Sequence, residues 1–162
     1  MRISHLIFLA GLPLAGMAAA DMPRPVAPTL PYDFDGRQVP CCISPEEAVM
    51  RAASTAPAAF LAKTAFTVRA QGQDHGLVFL NSELDYRDPR NISLVLSPRV
   101  QAQLRYRDGD DFARRLVGRN IMAIAAFKRV RIDFTVDGRP SGKYYYQTHA
   151  RIRDIDDLRI VE

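Results

Sequence analysis

From Lys63 onward, apolar and polar residues alternate along most of the chain, and this period of two restricts its fold more than any other feature. Alternate side chains of a β-strand point to opposite faces, so the pattern predicts strands with one buried face. Ile121–Phe127 is apolar at every position, which predicts a central strand covered on both faces. The predicted strands are Phe66–Ala70, Leu77–Leu80, Ile92–Leu96, Ile121–Phe127 with a continuation to Val136, Tyr144–Ile152, and a short closing strand at Leu158–Val161.

Two segments depart from this alternation and carry helix signals. Ser97 and Pro98 are suited to cap and begin a helix that extends to Gly118, with a break at Asp108–Gly109. Earlier in the chain, Ser44–Glu47 combines a capping serine, a proline suited to the first turn and two carboxylates that complement the helix dipole. The sequence therefore predicts a helix between the third and fourth strands and a helical N-terminal extension over residues 44–62.

The first twenty residues have the pattern of a secretory signal peptide. Arg2 precedes an apolar run, Leu6–Met17, that is too short to cross a bilayer, and Ala18–Ala20 supplies the small residues that precede a cleavage site. Residues 21–43 are rich in proline and predict an extended linker. We therefore expect cleavage near Ala20 and a periplasmic or secreted protein with no membrane span.

The order of the predicted elements resembles that of the oligonucleotide/oligosaccharide-binding barrel, or OB-fold. The resemblance extends over about Lys63–Glu162 and also rests on Gly118–Ile121, which leads into a long strand, and on the terminal segment Ile155–Val161. The chain is similar to small exported bacterial OB-fold-like domains. This resemblance implies an α+β, mostly β fold: an OB-like five-stranded barrel over residues 63–162, with a helix between strands 3 and 4 and a helical N-terminal extension. It transfers no catalytic residues.

The densest group of polar residues lies in residues 81–91, between the second and third predicted strands. Ligands of OB-folds lie across these two strands and the loops beside them. An aromatic ring there can stack on a ligand, and a guanidinium group can bind an anion in a bidentate manner. The candidate ligand-binding residues of the loop are Asn81, Asp85, Tyr86, Arg87, Asp88, Arg90 and Asn91. The alternative interpretation is a loop that satisfies its own hydrogen bonds, because Asp and Asn side chains readily bind nearby backbone N–H groups.

Three consecutive tyrosines begin the fifth predicted strand. Alternation places Tyr144 and Tyr146 on one face, where they would form a stacking platform for a glycan or a single-stranded nucleic acid, and Tyr145 on the other. The alternative is that the tyrosines fill the barrel or cover its edge. Lys128–Arg131 and Arg151–Arg153 place basic side chains on adjacent strands, and acidic residues nearby favour cross-strand ion pairs.

Cys41 and Cys42 are the only cysteines and are adjacent. Export permits oxidation, but a disulfide between neighbours is strained. Three interpretations stay open: a vicinal redox switch, a bridge to another chain, or two thiols at a helix entrance. Two thiols alone do not make a four-ligand metal site. Glu83, Asp85 and Asp88 offer oxygens to a cation, but the arginines of the same loop would repel it. We therefore predict no metal, no cofactor and no catalytic residue.

Composition says little about the ligand. The net charge is +4 and the isoelectric point about 9.3, but acidic residues are nearly as numerous as basic ones and are interleaved with them. Neither His75 nor His149 lies in a catalytic motif. The sequence predicts a non-enzymatic cell-envelope binding module that uses the second and third strands and the 81–91 loop. Its partner would be an envelope protein or a polymer, either a glycan or a single-stranded nucleic acid. The alternatives are a protein–protein adaptor that uses a sheet edge and the Pro-rich tether, and a redox or hydrolytic envelope enzyme.

Overall fold

The α+β, mostly β class is confirmed. A computed structural model describes residues 42–161, of which 48% lie in strands and 25% in helices. Within this range no helix is long and apolar enough to cross a membrane. In chain order the elements are α1 (Pro45–Thr55), β1 (Phe60–Thr67), β2 (Ala70–Asp74), β3 (Leu77–Asn81), β4 (Ile92–Leu96), α2 (Pro98–Asp108), α3 (Phe112–Leu116), β5 (Asn120–Val136), β6 (Arg139–Arg151), a 3₁₀ turn (Ile155–Asp157) and β7 (Leu158–Val161).

Both predicted helical segments are present, but the N-terminal one is shorter than the predicted extension over residues 44–62. α1 ends at Thr55, because Ala56 is extended before Pro57, and residues 60–62 already belong to β1. Ser44 Oγ accepts a hydrogen bond of 3.1 Å from the backbone N–H of Glu47 at the start of α1. Ser97 caps α2 in the same way. Gly109, with φ of +84°, ends α2 in the left-handed region that glycine adopts without a Cβ penalty. The predicted break between α2 and α3 is therefore confirmed.

The described strands form one sheet of seven that is not closed into a barrel, whereas the sequence predicted a five-stranded barrel. The strands lie in the order β1-β5-β6-β4-β3-β2, with β7 also paired to β5; β4 and β6 are parallel and all other pairs are antiparallel. The first predicted strand is divided between two partners. Val68 exchanges backbone hydrogen bonds with Arg119 and Gly118, whereas the next residue, Arg69, donates to the carbonyl of Asn81. This switch of partner separates β1 from β2.

β5 lies inside the sheet with strands paired to both of its edges, next to the end strand β1, and only one of its faces is fully buried, whereas the sequence predicted a central strand covered on both faces. β1 pairs with one of its edges, and β6 and β7 follow each other along the opposite edge. Ile121, Ala123, Ala125 and Phe127 are buried on one face, while the residues between them are partly exposed. Beyond Phe127 the strand continues with β6 as a long hairpin. We call residues 128–147 the arm.

The core lies against one face of the sheet, which we call the core face. It includes buried residues from α1, from α2 (Val100, Leu104), from α3 (Phe112, Leu116) and from most of the strands. The register pairs Phe127 with Ala150 on this face, so the next pair, Lys128 and His149, lies on the opposite or outer face.

Candidate binding groove on the outer face of the sheet

A concave pocket of about 550 Å³ lies on the outer face. Its size is within the usual range for small-ligand sites. Phe79 on β3 and Ser93 on β4 belong to its floor, and the loop between β3 and β4 and the arm border it. We call this cavity the aromatic pocket. Its lining residues are Ala70, Gln71, Gly72, Gln73, Asp74, Phe79, Asn81, Leu84, Tyr86, Ser93, Ile132, Tyr145, Gln147 and His149.

Three β6 side chains in the aromatic pocket form a continuous hydrogen-bonded row. His149 Nε2 lies 2.7 Å from Gln147 Oε1, and Gln147 Nε2 donates to the Tyr145 hydroxyl at 2.9 Å. Because Gln147 contributes an acceptor to one neighbour and a donor to the other, the row has a defined orientation. The His149 ring also contacts Phe79, with 5.6 Å between ring centroids. The pocket therefore has ordered polar groups beside aromatic surfaces.

Burial shifts the pKa of both ionisable members of this row. Burial raises the pKa of Tyr145, and the nearby Tyr86 adds to the increase, while Gln147 and Arg87 partly offset it. Burial, with a smaller contribution from the positive charge of Arg151, lowers the pKa of His149. Both side chains are therefore held in their neutral forms near neutral pH, as hydrogen-bonding groups rather than charges.

The base of the 81–91 loop is a buried polar network centred on Asn91. Asn91 Oδ1 accepts from the backbone N–H of Glu83 at 3.1 Å, and Asn91 Nδ2 donates to Ser93 Oγ at 3.0 Å. Ser93 Oγ donates in turn to Asn81 Oδ1 at 2.8 Å, and Ser82 Oγ accepts from the backbone N–H of Ile92. All four side chains of the network, those of Asn81, Ser82, Asn91 and Ser93, are buried. Their first role is to hold the ends of the loop together.

The tip of the loop satisfies many of its own polar groups. Asp85 accepts from the backbone N–H of Arg87 at 2.9 Å. Asp88 accepts from the backbone of Arg90 and from two nitrogens of its guanidinium group, at 2.9, 3.1 and 2.8 Å. These contacts lower the pKa of Asp88 to about 2 and raise that of Arg90. Asp85, Asp88 and Arg90 are thus engaged in turn formation.

Two predicted loop residues reach the aromatic pocket region. Tyr86 lines the pocket and is 43% exposed, and the Arg87 guanidinium carbon lies 4.9 Å from the centre of its ring. Arg87 is also close enough to Tyr145 to affect its pKa. The loop and the arm therefore approach each other through these three side chains.

The structure places Tyr144 and Tyr146 apart from the aromatic pocket. They lie on the core-face side of the arm. The guanidinium carbon of Arg131 lies 4.2 Å from the centre of the Tyr144 ring, and the guanidinium carbon of Arg129 lies 3.7 Å from the centre of the Tyr146 ring. The two rings contact each other edge to face, with centroids 5.6 Å apart. Asp133 forms an ion pair of 2.7 Å with Arg131 and raises its pKa. A platform formed by these tyrosines would thus be a separate surface from the pocket.

A second recess of about 730 Å³ adjoins the aromatic pocket and shares Asp74, Phe79 and His149 with it. We call it the basic recess because Lys128 and Arg151 line it from the outer face, whereas Asp74 is its single lining carboxylate. Arg129 and Arg131 also belong to its lining, but their guanidinium groups lie against Tyr146 and Tyr144 on the other side of the arm. Together, the aromatic pocket and the basic recess form the outer groove.

Cys42 is not among the residues that line this groove. Cys41 is outside the described residues; Cys42 is exposed and directly precedes Ile43, which pairs with Thr64 of β1. Among residues 42–161, no group of three or more His, Cys, Asp or Glu side chains is arranged to hold a metal ion.

Sequence reasoning missed most of the residues that line the aromatic pocket. Alternation along β6 did separate Tyr145 from its neighbours, and the same period places Gln147 and His149 beside it. The pairing of β6 with β4 brings this row next to Ser93 and Phe79, and no local sequence pattern predicts that pairing. Comparison with known proteins finds no protein family and no curated protein that matches the sequence.

Proposed function

We propose that this protein is a non-enzymatic binding module that holds an extended oligosaccharide in the outer groove. The observation that carries the proposal is the hydrogen-bonded row of Tyr145, Gln147 and His149 beside the rings of Phe79 and Tyr86. Aromatic rings offer flat apolar surfaces to the faces of sugar rings. Amides, a phenol and a neutral imidazole supply the donors and acceptors that sugar hydroxyls need. The signal-peptide pattern adds a location, the periplasm or the exterior, where glycans are available partners.

The order of strand pairing supports an OB-like arrangement for the sheet. If β1 and β2 are counted as two halves of one bent strand, the remaining order is that of a partly open OB barrel. The parallel pair β4 and β6 and the position of α2 and α3 before β5 fit the same arrangement. In such folds the outer face of the second and third strands, here β3 and β4, is a common place for ligands. The aromatic pocket lies on that face.

Binding to an array of immobilised neutral and acidic oligosaccharides tests the proposal, with wild type compared to the double variant Tyr86→Ala/Tyr145→Ala. We expect the double variant to lose about tenfold or more in affinity, equivalent to roughly 1.4 kcal/mol. Tyr106→Ala is the matched control, because Tyr106 is 96% exposed on α2 and remote from the groove residues in the sheet. Circular dichroism establishes that each variant is folded.

A second variant blocks the pocket without removing any of its contacts. Gly72 pairs with Phe79 on the outer face, and a Cβ at this position would have no atom within 4 Å. Gly72→Phe should therefore place a ring in the aromatic pocket and abolish binding while the protein stays folded. If wild type binds no oligosaccharide, or if Gly72→Phe binds as wild type does, the proposal is wrong.

One observation favours a second candidate, a protein–protein adaptor. Among the described strands, β2 ends the sheet, and no described strand pairs with its outer edge. Such an edge can accept a strand from a partner protein. Residues 21–41 of the Pro-rich tether in that hypothesis lie outside the described residues. Gly72→Phe distinguishes the two functions, because it fills the pocket but leaves the backbone edge of β2 in place.

A further inference from the structure

The basic recess contains a cluster of cationic side chains on the outer face. Lys128 lies directly opposite His149 in the β5–β6 register, and Arg151 lies two residues further along β6 on the same face. Lys128 and Arg151 are exposed. Arg151 contributes to the lowered pKa of His149, as expected for a positive charge nearby.

These charges are not balanced by the surrounding sheet. Within residues 42–161, no carboxylate lies within ion-pair distance of Lys128 or Arg151, although four arginines in this range form such pairs. Asp74, the carboxylate that lines the recess, lies 2.7 Å from the ring of its neighbour His75. Lys128 and Arg151 are diagonal neighbours on β5 and β6, so their like charges repel each other across the two strands. A bound anion would remove that repulsion and contribute charge-assisted hydrogen bonds.

We propose that the ligand is an acidic oligosaccharide whose carboxylate groups bind in the basic recess while its sugar rings occupy the aromatic pocket. This inference rests on the proposed function and adds the charge of the ligand. The two cavities share Phe79 and His149, so one elongated molecule can occupy both. The separation of roles is sharp: aromatic and amide groups lie at one end, and Lys128 and Arg151 lie at the other. A glycan is favoured over a single-stranded nucleic acid because of the predicted export.

The test uses a matched pair of ligands, hexagalacturonate and its carboxyl-reduced counterpart, which has the same linkages without the charges. Affinity is measured by calorimetry in 20 and 200 mM NaCl. The Debye length is about threefold shorter at the higher salt concentration, so electrostatic attraction is screened more strongly there. The double variant Lys128→Gln/Arg151→Gln removes two charges from the recess. The control Lys143→Gln/Arg159→Gln removes two exposed charges elsewhere, so net charge is the same.

We expect the wild type to prefer hexagalacturonate by about tenfold or more at low salt and to lose much of this preference at high salt. Lys128→Gln/Arg151→Gln should remove the preference, because the recess then offers no paired charge to the carboxylates, whereas the control variant should keep the preference of wild type. Equal affinity for the two hexamers, or a preference that survives Lys128→Gln/Arg151→Gln, overturns the acidic assignment alone.

The outcomes also separate this inference from the proposed function. A protein that binds a neutral oligosaccharide on the array but not hexagalacturonate contradicts only the acidic assignment. A protein that binds nothing on the array contradicts both. Tighter binding of an eight-nucleotide oligothymidylate than of hexagalacturonate, again dependent on Lys128 and Arg151, would replace the glycan with a single-stranded nucleic acid.

Discussion

At the scale of single residues, burial separates the side chains that hold the 81–91 loop together from those that a ligand could reach. Asn91 and Asn81 are amides that a ligand could use, but both are buried and hydrogen-bonded to other parts of the loop base. Tyr86 belongs to the same loop and is substantially exposed beside the pocket. The loop therefore consists of a rigid base and a tip that presents Tyr86 and Arg87.

Asn91→Ala should destabilise the protein by about 1–3 kcal/mol, because it leaves the part-buried Glu83 N–H and the buried Ser93 hydroxyl with fewer partners. Urea denaturation measures the change. Asn120→Ala is the matched control: Asn120 is exposed, and its side chain accepts one hydrogen bond, from Thr67. We expect that control to stay within about 0.5 kcal/mol of wild type. A stable Asn91→Ala protein that has lost ligand binding would instead make Asn91 a contact residue.

The sequence contains enough information to find the loop but not to assign its residues. Asp85 and Asp88 suggested either turn formation or ligand contact, and both interpretations use the same carboxylate chemistry. The choice depends on which groups lie within hydrogen-bond distance of each carboxylate, as in the 3.1 and 2.8 Å contacts of Asp88 with Arg90. Whether these residues also touch a ligand stays a prediction.

At the scale of elements, local signals identified the helices, and long-range pairing determined the rest. The caps at Ser44 and Ser97 act within a single turn, so the sequence alone predicts them. The division of the first strand at Val68 depends on Arg119 and Asn81, which are distant in the chain. The apolar run Ile121–Phe127 likewise does not reveal that the outer face of β5 stays partly exposed, because that depends on what packs against the strand in the fold.

Between β6 and β7 the chain leaves the edge of β5 and then pairs with it again. Both strands pair with β5, and residues 152–157 leave its edge between them. Asp157 holds this excursion in place, because its Oδ2 accepts from the backbone N–H groups of Arg153 at 3.0 Å and Asp154 at 3.2 Å. The Asp154 side chain completes a capping box at the 3₁₀ turn.

Asp157→Ala should therefore lower the free energy of unfolding by about 1–3 kcal/mol and increase hydrogen exchange at the β7 amides. The neighbouring Asp156→Ala is the control, since Asp156 is exposed and its side chain makes no hydrogen bond within the described residues. Equal stability of the two variants would mean that backbone pairing alone fixes the register of β7.

At the scale of the whole molecule, one buried cluster connects the helices with the sheet, while the outer groove joins elements that are far apart in the chain. The cluster includes Ala48 of α1, Leu104 of α2 and Phe127 of β5. The aromatic pocket draws on β2, β3, β4, the 81–91 loop and the arm. The groove can therefore be correctly formed only when the sheet is assembled, so its stability should follow that of the core.

Leu104→Ala tests this dependence from the opposite side of the molecule. Leu104 is completely buried on α2, and its truncation should cost about 2–5 kcal/mol through lost burial and a cavity. The chain has no tryptophan, and four of its six tyrosines lie in the arm or at the pocket. Tyrosine fluorescence therefore reports mainly on the arm and the pocket, while far-UV circular dichroism reports on the helices and sheet. We expect both signals to shift to the same lower midpoint, because a single cooperative unit unfolds all at once.

Tyr106→Ala on the exposed side of the same helix should leave the midpoint nearly unchanged. If tyrosine fluorescence keeps the wild-type midpoint while circular dichroism shifts, the arm and the groove are stabilised independently of the core, and the groove then requires no intact core to bind its ligand.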